Sequence, residues 1–444
     1  MWPEAFTEQI SQILGPEKEA FFEALRSSPV VSLRQNPSKR INTTFDHPIP
    51  WCSEGFYLKE RPSFTLDPFF HSGCYYVQDA SSMFLEQAIR QTTDLSKPIR
   101  VLDLCGAPGG KTTHLLSLIS RNSILVTNEV IRSRVSILTM NVEKWGYSNV
   151  LVTNNDPSDF TELESFFDVV VVDAPCSGEG LFRKDPQASS EWSLDAVKLC
   201  SARQQRILED IWPTVKPGGV VVYSTCTFNE SENEGTVASV LKKYKAESLA
   251  LRIEDHWRVT AHQKDGVHGY RFYPHKTQGE GFFLSVLRKG EEETVSVSGR
   301  RKKREPEIKE AAFFKNLLRE PEHFLLSEKG DLVLAIPNDV AEVREQLENR
   351  LTIVHSGLAM GTLKHGKLIP DHALALSNDL KPGSFSEIQL THEEALRYLR
   401  KETLTPVGAG MTRFTYGGFG LGWGNVVAGR VNNLLPNSYR IMNK

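Results

Sequence analysis

Short apolar runs alternate with helix-periodic stretches through the middle of the chain. The runs are Arg100–Leu104, Ile124–Thr127, Val150–Thr153, Val169–Val172 and Val220–Tyr223, and segments 111–121, 131–144 and 197–215 between them are helix-like. Near-continuous Val, Ile and Leu without polar alternation marks strands covered on both faces. This order of elements predicts βαβ units in a doubly wound, mostly parallel sheet, hence an α/β fold. Such sheets hold ligands beyond the carboxyl ends of their strands. The residues that end each run are therefore the candidates for chemistry.

Either side of this core the pattern changes. Phe6, Ile10, Ile13 and Leu14 follow a helical period, and Gly15-Pro16 breaks it. Two short helices over 4–27, a strand-like run at Val30–Leu33 and a Pro-rich irregular stretch make residues 1–75 a small α+β lobe. Residues 290–309 are highly charged, with Arg300-Arg301-Lys302-Lys303-Arg304 at their centre. Such a stretch reads as a linker or an RNA-backbone contact. The Gly-rich, turn-rich end of the chain predicts a small β-rich domain over 310–444, with the core at 76–289.

Composition narrows the classes. The 444 residues are 40% hydrophobic and 24% charged, with a net charge of −3. That excludes wholesale disorder and argues against a basic protein that coats nucleic acid. No apolar run is long enough for a membrane span, and the first residues lack a secretory pattern. A cytosolic protein is expected. The six cysteines (52, 74, 105, 176, 200, 226) form no CxxC. Neither a structural metal nor a disulfide framework is expected.

The first chemical motif is VLDLCGAPGGKTTHL. Asp103 ends a strand, and the turn Cys105-Gly106-Ala107-Pro108-Gly109-Gly110-Lys111 leads into a helix. A nucleotide-type ligand packs against bare backbone at such a turn. A phosphate-binding P-loop needs one more residue between its glycines, and Pro108 removes an N–H from the nest. An adenosyl cofactor fits better. Glu129, after the second strand, suits the ribose hydroxyls, and Asp156, after the third, suits the adenine edge. Asp173 ends the fourth. Acidic strand ends also suit a sulfonium cation.

The second and third motifs are DAPCSGEG and YSTCTFNESENE. Cys176 and Cys226 follow strands that neighbour each other in a doubly wound sheet, so both thiols can face one pocket. Cys52, Cys74 and Cys200 read as packing, and Cys105 as packing beside the cofactor. Ser231–Glu234 has the form of a capping box, which predicts a helix over 232–243. A thiolate beside a sulfonium permits one specific chemistry. Carbon 5 of a pyrimidine becomes nucleophilic once a thiolate adds at carbon 6. Asp173 is placed to bond the N3/N4 edge of cytosine and so to select it over uracil.

These three motifs, with SEGFYL (53–58), GCYYVQDASSMF (73–84) and RFYPHKTQGEGFF (271–283), resemble the NOL1/NOP2/Sun (RsmB/RsmF) family of RNA cytosine-C5 methyltransferases. The resemblance covers about residues 30–290. The tail LGWGNVVAGRVNNLLPNSYR resembles the RNA-binding end of the bacterial RsmF branch, which acts on 16S ribosomal RNA.

The resemblance implies a Rossmann-like core that uses S-adenosylmethionine, and a PUA-like C-terminal RNA-binding domain. It makes Cys226 the nucleophile and Cys176 the residue that helps release product. The cofactor site becomes Cys105–Lys111 with Glu129, Asp156 and Asp173. Gln78, Ser81 and Ser82 fall near the cofactor end of the sheet. Lys111 and Lys184 become candidates for contacts in the pocket or to RNA. Gly106 stands where the family commonly has Ala, which is expected to loosen the turn slightly. Trp423 and Tyr416 could stack on bases or fill the small domain. The expected partner is ribosomal RNA or the small ribosomal subunit, met by a monomer, with no DNA and no membrane. A tRNA methyltransferase, a non-catalytic assembly factor and a P-loop nucleotidase are the rival readings.

Overall fold

The computed structural model describes residues 2–43, 45, 47–291, 308, 310–364, 367–405 and 408–442. Apart from 290, 291 and 308, the charged stretch at 290–309, with the basic run 300–304, lies outside the described residues.

The five apolar runs form five parallel strands: β1 (Arg100–Asp103), β2 (Ile124–Asn128), β3 (Val150–Thr153), β4 (Phe167–Asp173) and β5 (Val215–Thr225). Two later strands, β6 (Val267–Phe272) and β7 (Phe282–Lys289), extend the sheet. The spatial order is 3-2-1-4-5-7-6, with β7 antiparallel to both of its neighbours. Four helices connect or flank these strands: α1 (Gly110–Leu118), α2 (Arg132–Trp145), α3 (Leu194–Ile211) and α4 (Glu234–Lys243). Val169–Val172 are all fully buried, as strands covered on both faces require. Each such side chain contributes roughly 1.5–3 kcal/mol of burial. The order reverses between β1 and β4, so the ligand crevice is expected at the ends of those two strands.

The N-terminal region serves two places. Helices Glu4–Leu14 and Lys18–Arg26 break at Gly15, whose φ is 53°. Phe6, Phe21 and Phe22 pack with Phe182, Trp192, Phe228 and Tyr273, against the loops that follow the two cysteines. The stretch expected to be irregular is instead an antiparallel sheet. Val31–Gln35 pairs with both Gly55–Leu58 and Tyr75–Val77, and His47–Pro48 sits at the edge. Its strands are too short, and its partners too distant in sequence, to show as a local pattern.

Residues 310–442 fold as two four-stranded sheets. The first holds Phe324–Lys329, Leu332–Pro337, Leu358–Lys364 and Lys367–Pro370. It is tied to the core by Ile353–Ser356, which pairs antiparallel with β3. Met360 and Leu374 share a hydrophobic cluster with Leu151 of β3. The second holds Ser386–Gln389, Gly410–Tyr416, Phe419–Val427 and Arg430–Asn433. Trp423 is buried there against Phe385 and donates its indole N–H to Asp371 O. Tyr416 packs on Phe69 of the N-terminal region. No helix of the described residues is long and apolar enough to cross a membrane.

Candidate active site

The glycine turn leaves β1 and enters α1 at the switch point. Gly109 is left-handed, at φ 119°, where a side chain would be strained. Gly106 is held by its N–H to Asn128 O at 2.7 Å. A Cβ on Gly106 would lie 2.1 Å from Thr127 Oγ1 and 3.0 Å from Thr112 Oγ1. The glycine therefore does not loosen the turn. It makes room for two hydroxyls that bond each other at 3.0 Å. Arg134 and Asn141 of α2 donate to Ala107 O and Pro108 O, which fixes the far side of the turn.

Acids surround this turn. Asp103 is buried and takes the Thr112 hydroxyl at 2.6 Å on one oxygen, while its other oxygen has no partner. Burial pushes Asp103 up to about 7, with Asp173 and Glu129 adding to the rise and Thr112 and Lys111 opposing it. Burial also raises the Cys105 thiol, helped by the charges of Asp103, Asp173 and Glu129. Glu129 takes the Ile131 N–H at 2.9 Å and faces Arg134 at 3.4 Å. Three carboxylates around one turn suit a cation far better than a polyphosphate. The residues present therefore fit an adenosyl sulfonium. Asp156 follows β3 as the N-cap of the turn 157–160. Its carboxylate takes the Ser158 N–H and lies 3.4 Å from Arg206.

Beside the turn, Asp173 ends β4. Its Oδ2 pairs with Lys111 Nζ at 2.7 Å and its Oδ1 takes the Ser224 hydroxyl at 2.8 Å. Lys111 also lies over the Phe282 ring. Lys184 pairs with Asp79 at 3.1 Å and Glu280 at 3.4 Å, so its charge is already met within the protein. Gln78 binds Arg34 and Ser82, and Ser81 donates to Glu280 O.

The two motif cysteines converge. Cys176 Sγ and Cys226 Sγ are 3.0 Å apart, both are free thiols, and both are half-buried. The Cys226 N–H points at Cys176 Sγ from 3.3 Å. Gly180 N–H closes the two loops by donating to Cys226 O at 2.8 Å. The hydrogen bond to Cys226 and burial push the Cys176 thiol well up. The expected capping box does not form. The helix starts at Glu234 behind Asn233, which makes no side-chain cap. Glu234 is drawn instead into a buried ion pair with Arg271, and Glu232 turns toward the cysteine loops.

The chain matches a family model described as 16S rRNA methyltransferase RsmB/F over residues 91–288. Its flanks match the N-terminal domain of 16S rRNA methyltransferase RsmF (2–80), the RsmF first C-terminal domain (312–377) and the RsmF PUA domain (385–441). The ribosomal RNA small subunit methyltransferase F of Aeromonas hydrophila is 32% identical over 411 residues, covering 88% of this chain and 84% of that protein. The chain belongs to the RsmF family of RNA methyltransferases. The family member from Erwinia tasmaniensis is 36% identical over 312 residues, 65% of this chain and 63% of that protein. Among solved structures, a methyltransferase homolog protein from Pyrococcus horikoshii shares the fold at TM-score 0.55 and 28% identity. It covers 65% of this chain and 95% of that one.

One further cluster bears on the expectation of no metal. Among the described residues, Cys52, Glu86 and His114 could together hold an ion. All three are buried, and His114 Nδ1 has no hydrogen-bond partner. His114 Nε2 lies 3.2 Å from Glu86 and 3.8 Å from Cys52 Sγ, and Arg90 binds the same carboxylate at 2.8 Å. The Arg90 guanidinium already meets the charge of that carboxylate.

Proposed function

We propose that the chain transfers a methyl group from S-adenosylmethionine to carbon 5 of a cytosine in 16S ribosomal RNA, through a transient bond from Cys226 to the base. The observation that carries this reading is the pair of free sulfurs 3.0 Å apart at the ends of adjacent strands, beside an acid-lined turn. A P-loop nucleotidase has no use for either feature, and a pure RNA binder has no use for the thiols.

S-adenosylmethionine supplies the electrophilic methyl when bound. Residues Cys105–Lys111, Glu129, Asp156 and Asp173 form its site. The target cytosine is flipped out of its stack to reach the pocket. Lys111 and Ser224 orient Asp173, which accepts from the N4 edge of the base. Cys226 Sγ, as thiolate, adds to carbon 6, and the ring electrons move to carbon 5, which takes the methyl. Removal of the carbon-5 proton re-forms the ring double bond and expels the sulfur. Cys176 assists this release.

The region 310–442 contacts RNA mostly through phosphates and shape. The protein acts as a monomer in the cytoplasm, where its thiols stay reduced. The test is to incubate the chain with methyl-labelled S-adenosylmethionine and 16S rRNA, both free and in small subunits, and then to sequence after bisulfite. A new 5-methylcytosine in 16S rRNA is the expected result. Label in tRNA alone, or RNA binding without label, contradicts it.

A further inference from the structure

The reaction leaves over two carboxylates of the cysteine motifs. Glu179 belongs to the SGEG turn and Glu232 to the NESENE segment, and both are fully buried. Among the described residues, neither pairs with a Lys or Arg. The groups that reach them are neutral. Glu179 takes the Gln9 amide, the Trp192 indole, the Asn229 amide and the Phe228 N–H. Glu232 takes the Ser177 N–H at 2.9 Å and its hydroxyl at 2.5 Å, the Asn229 amide at 2.6 Å and the Gln204 amide at 2.8 Å.

A buried charge without a counter-ion is costly unless several good hydrogen bonds offset it. Those on Glu232 come from three places: the turn after Cys176, the segment after Cys226, and helix α3. Gln204 of α3 also holds Pro175 O, next to Cys176, at 3.0 Å. Ser177 Oγ lies 3.1 Å from Thr227 Oγ1, and so stitches the residues after the two cysteines. One carboxylate thus gathers every segment that sets the sulfur-to-sulfur distance.

We infer that Glu232 is the positioning residue of the cysteine pair: its buried carboxylate locks the Cys176 turn onto the Cys226 segment and sets a negative charge on the residue that follows Cys176. The inference rests on the cysteine roles proposed above and adds what keeps the two sulfurs distinct. Its charge is one of the causes that raise the Cys176 thiol, after the bond to Cys226, burial and the Cys226 charge. The other groups near Cys176 are accounted for. Asp173 is paired with Lys111. Tyr223 is buried with its own ionisation pushed well up, and donates to Glu232 O. Cys200 of α3 feels Glu232 and Cys226, and its thiol is raised chiefly by burial.

The test reads Cys176 directly, in the full-length chain. Its alkylation by iodoacetamide is followed by mass spectrometry from pH 6 to 10 in C226S, which removes the partner sulfur's charge, and in C226S with E232Q or E232D. The midpoint is expected to fall by about one pH unit with E232Q and to stay with E232D, which keeps the charge. An unmoved midpoint in folded E232Q overturns the inference. If E232Q does not fold, S177A with both cysteines intact decides. Loss of its hydroxyl bonds between the loops is expected to lower kcat severalfold while KM for RNA holds, and an unchanged kcat overturns the inference. Alkylation needs no methyl transfer, so a chain that failed to methylate RNA would sink the proposed function and still report on Glu232.

Discussion

Two clusters in this molecule are built from the same materials, cysteine beside a buried carboxylate, and their fates differ. Cys52 lies under Glu86 and His114 inside the hydrophobic cluster between the N-terminal sheet and α1. Its carboxylate has a guanidinium, and burial drives its thiol far up. Cys176 and Cys226 stand at the open ends of β4 and β5, half-exposed, with a carboxylate held only by neutral donors. Address rather than composition decides what each thiol can meet. A thiol at a strand end can meet substrate, and a thiol in a closed triad is packing.

The sharpest way to break this contrast is to remove one sulfur from each cluster. Cys226→Ala should lower methyl transfer by about 10³-fold or more, as loss of a covalent nucleophile does. Cys52→Ala should leave turnover within about twofold while lowering the Tm. Equal effects on labelled-methyl incorporation would erase the distinction.

A smaller effect is expected at the glycine turn. Gly106→Ala pushes a methyl into Thr127 Oγ1, and overpacking of this kind costs about 1–3 kcal/mol. Binding of S-adenosylmethionine, read by calorimetry, should weaken about tenfold. Adding Thr127→Ala should restore part of it; no weakening in the single variant would show that the turn has slack.

The smallest effect separates the clusters by pH. Burial holds His114 down to about 4, below its ordinary 6.5. A depressed pKa in the folded state means stability that is present above pH 6.5 and lost as pH falls toward 4. The Tm should therefore drop as pH falls through that window, by the equivalent of roughly 1–2 kcal/mol by pH 5. His114→Asn should flatten the drop.

The sheet was legible because strands covered on both faces write themselves as unbroken Val runs. The cysteine pair was legible because each Cys directly follows such a run. Glu232 was not. Its surroundings read as a polar turn with a capping box, and only the folded chain shows Ser177, Asn229 and Gln204 converging on it. The same holds for Ile353–Ser356, which joins β3 from 200 residues away, and for Gly106, whose reason is a hydroxyl on the next strand. Local pattern reports burial on an element's own faces. It does not report which distant side chain fills a given space.

The central claim, a covalent bond between one sulfur and the base with the other sulfur aiding its release, is read most directly on a denaturing gel. Cys176→Ala, incubated with substrate RNA and S-adenosylmethionine, should accumulate a slow-migrating RNA–protein band that disappears when Cys226→Ala is added. A missing band in the first variant, or a surviving band in the second, would contradict it.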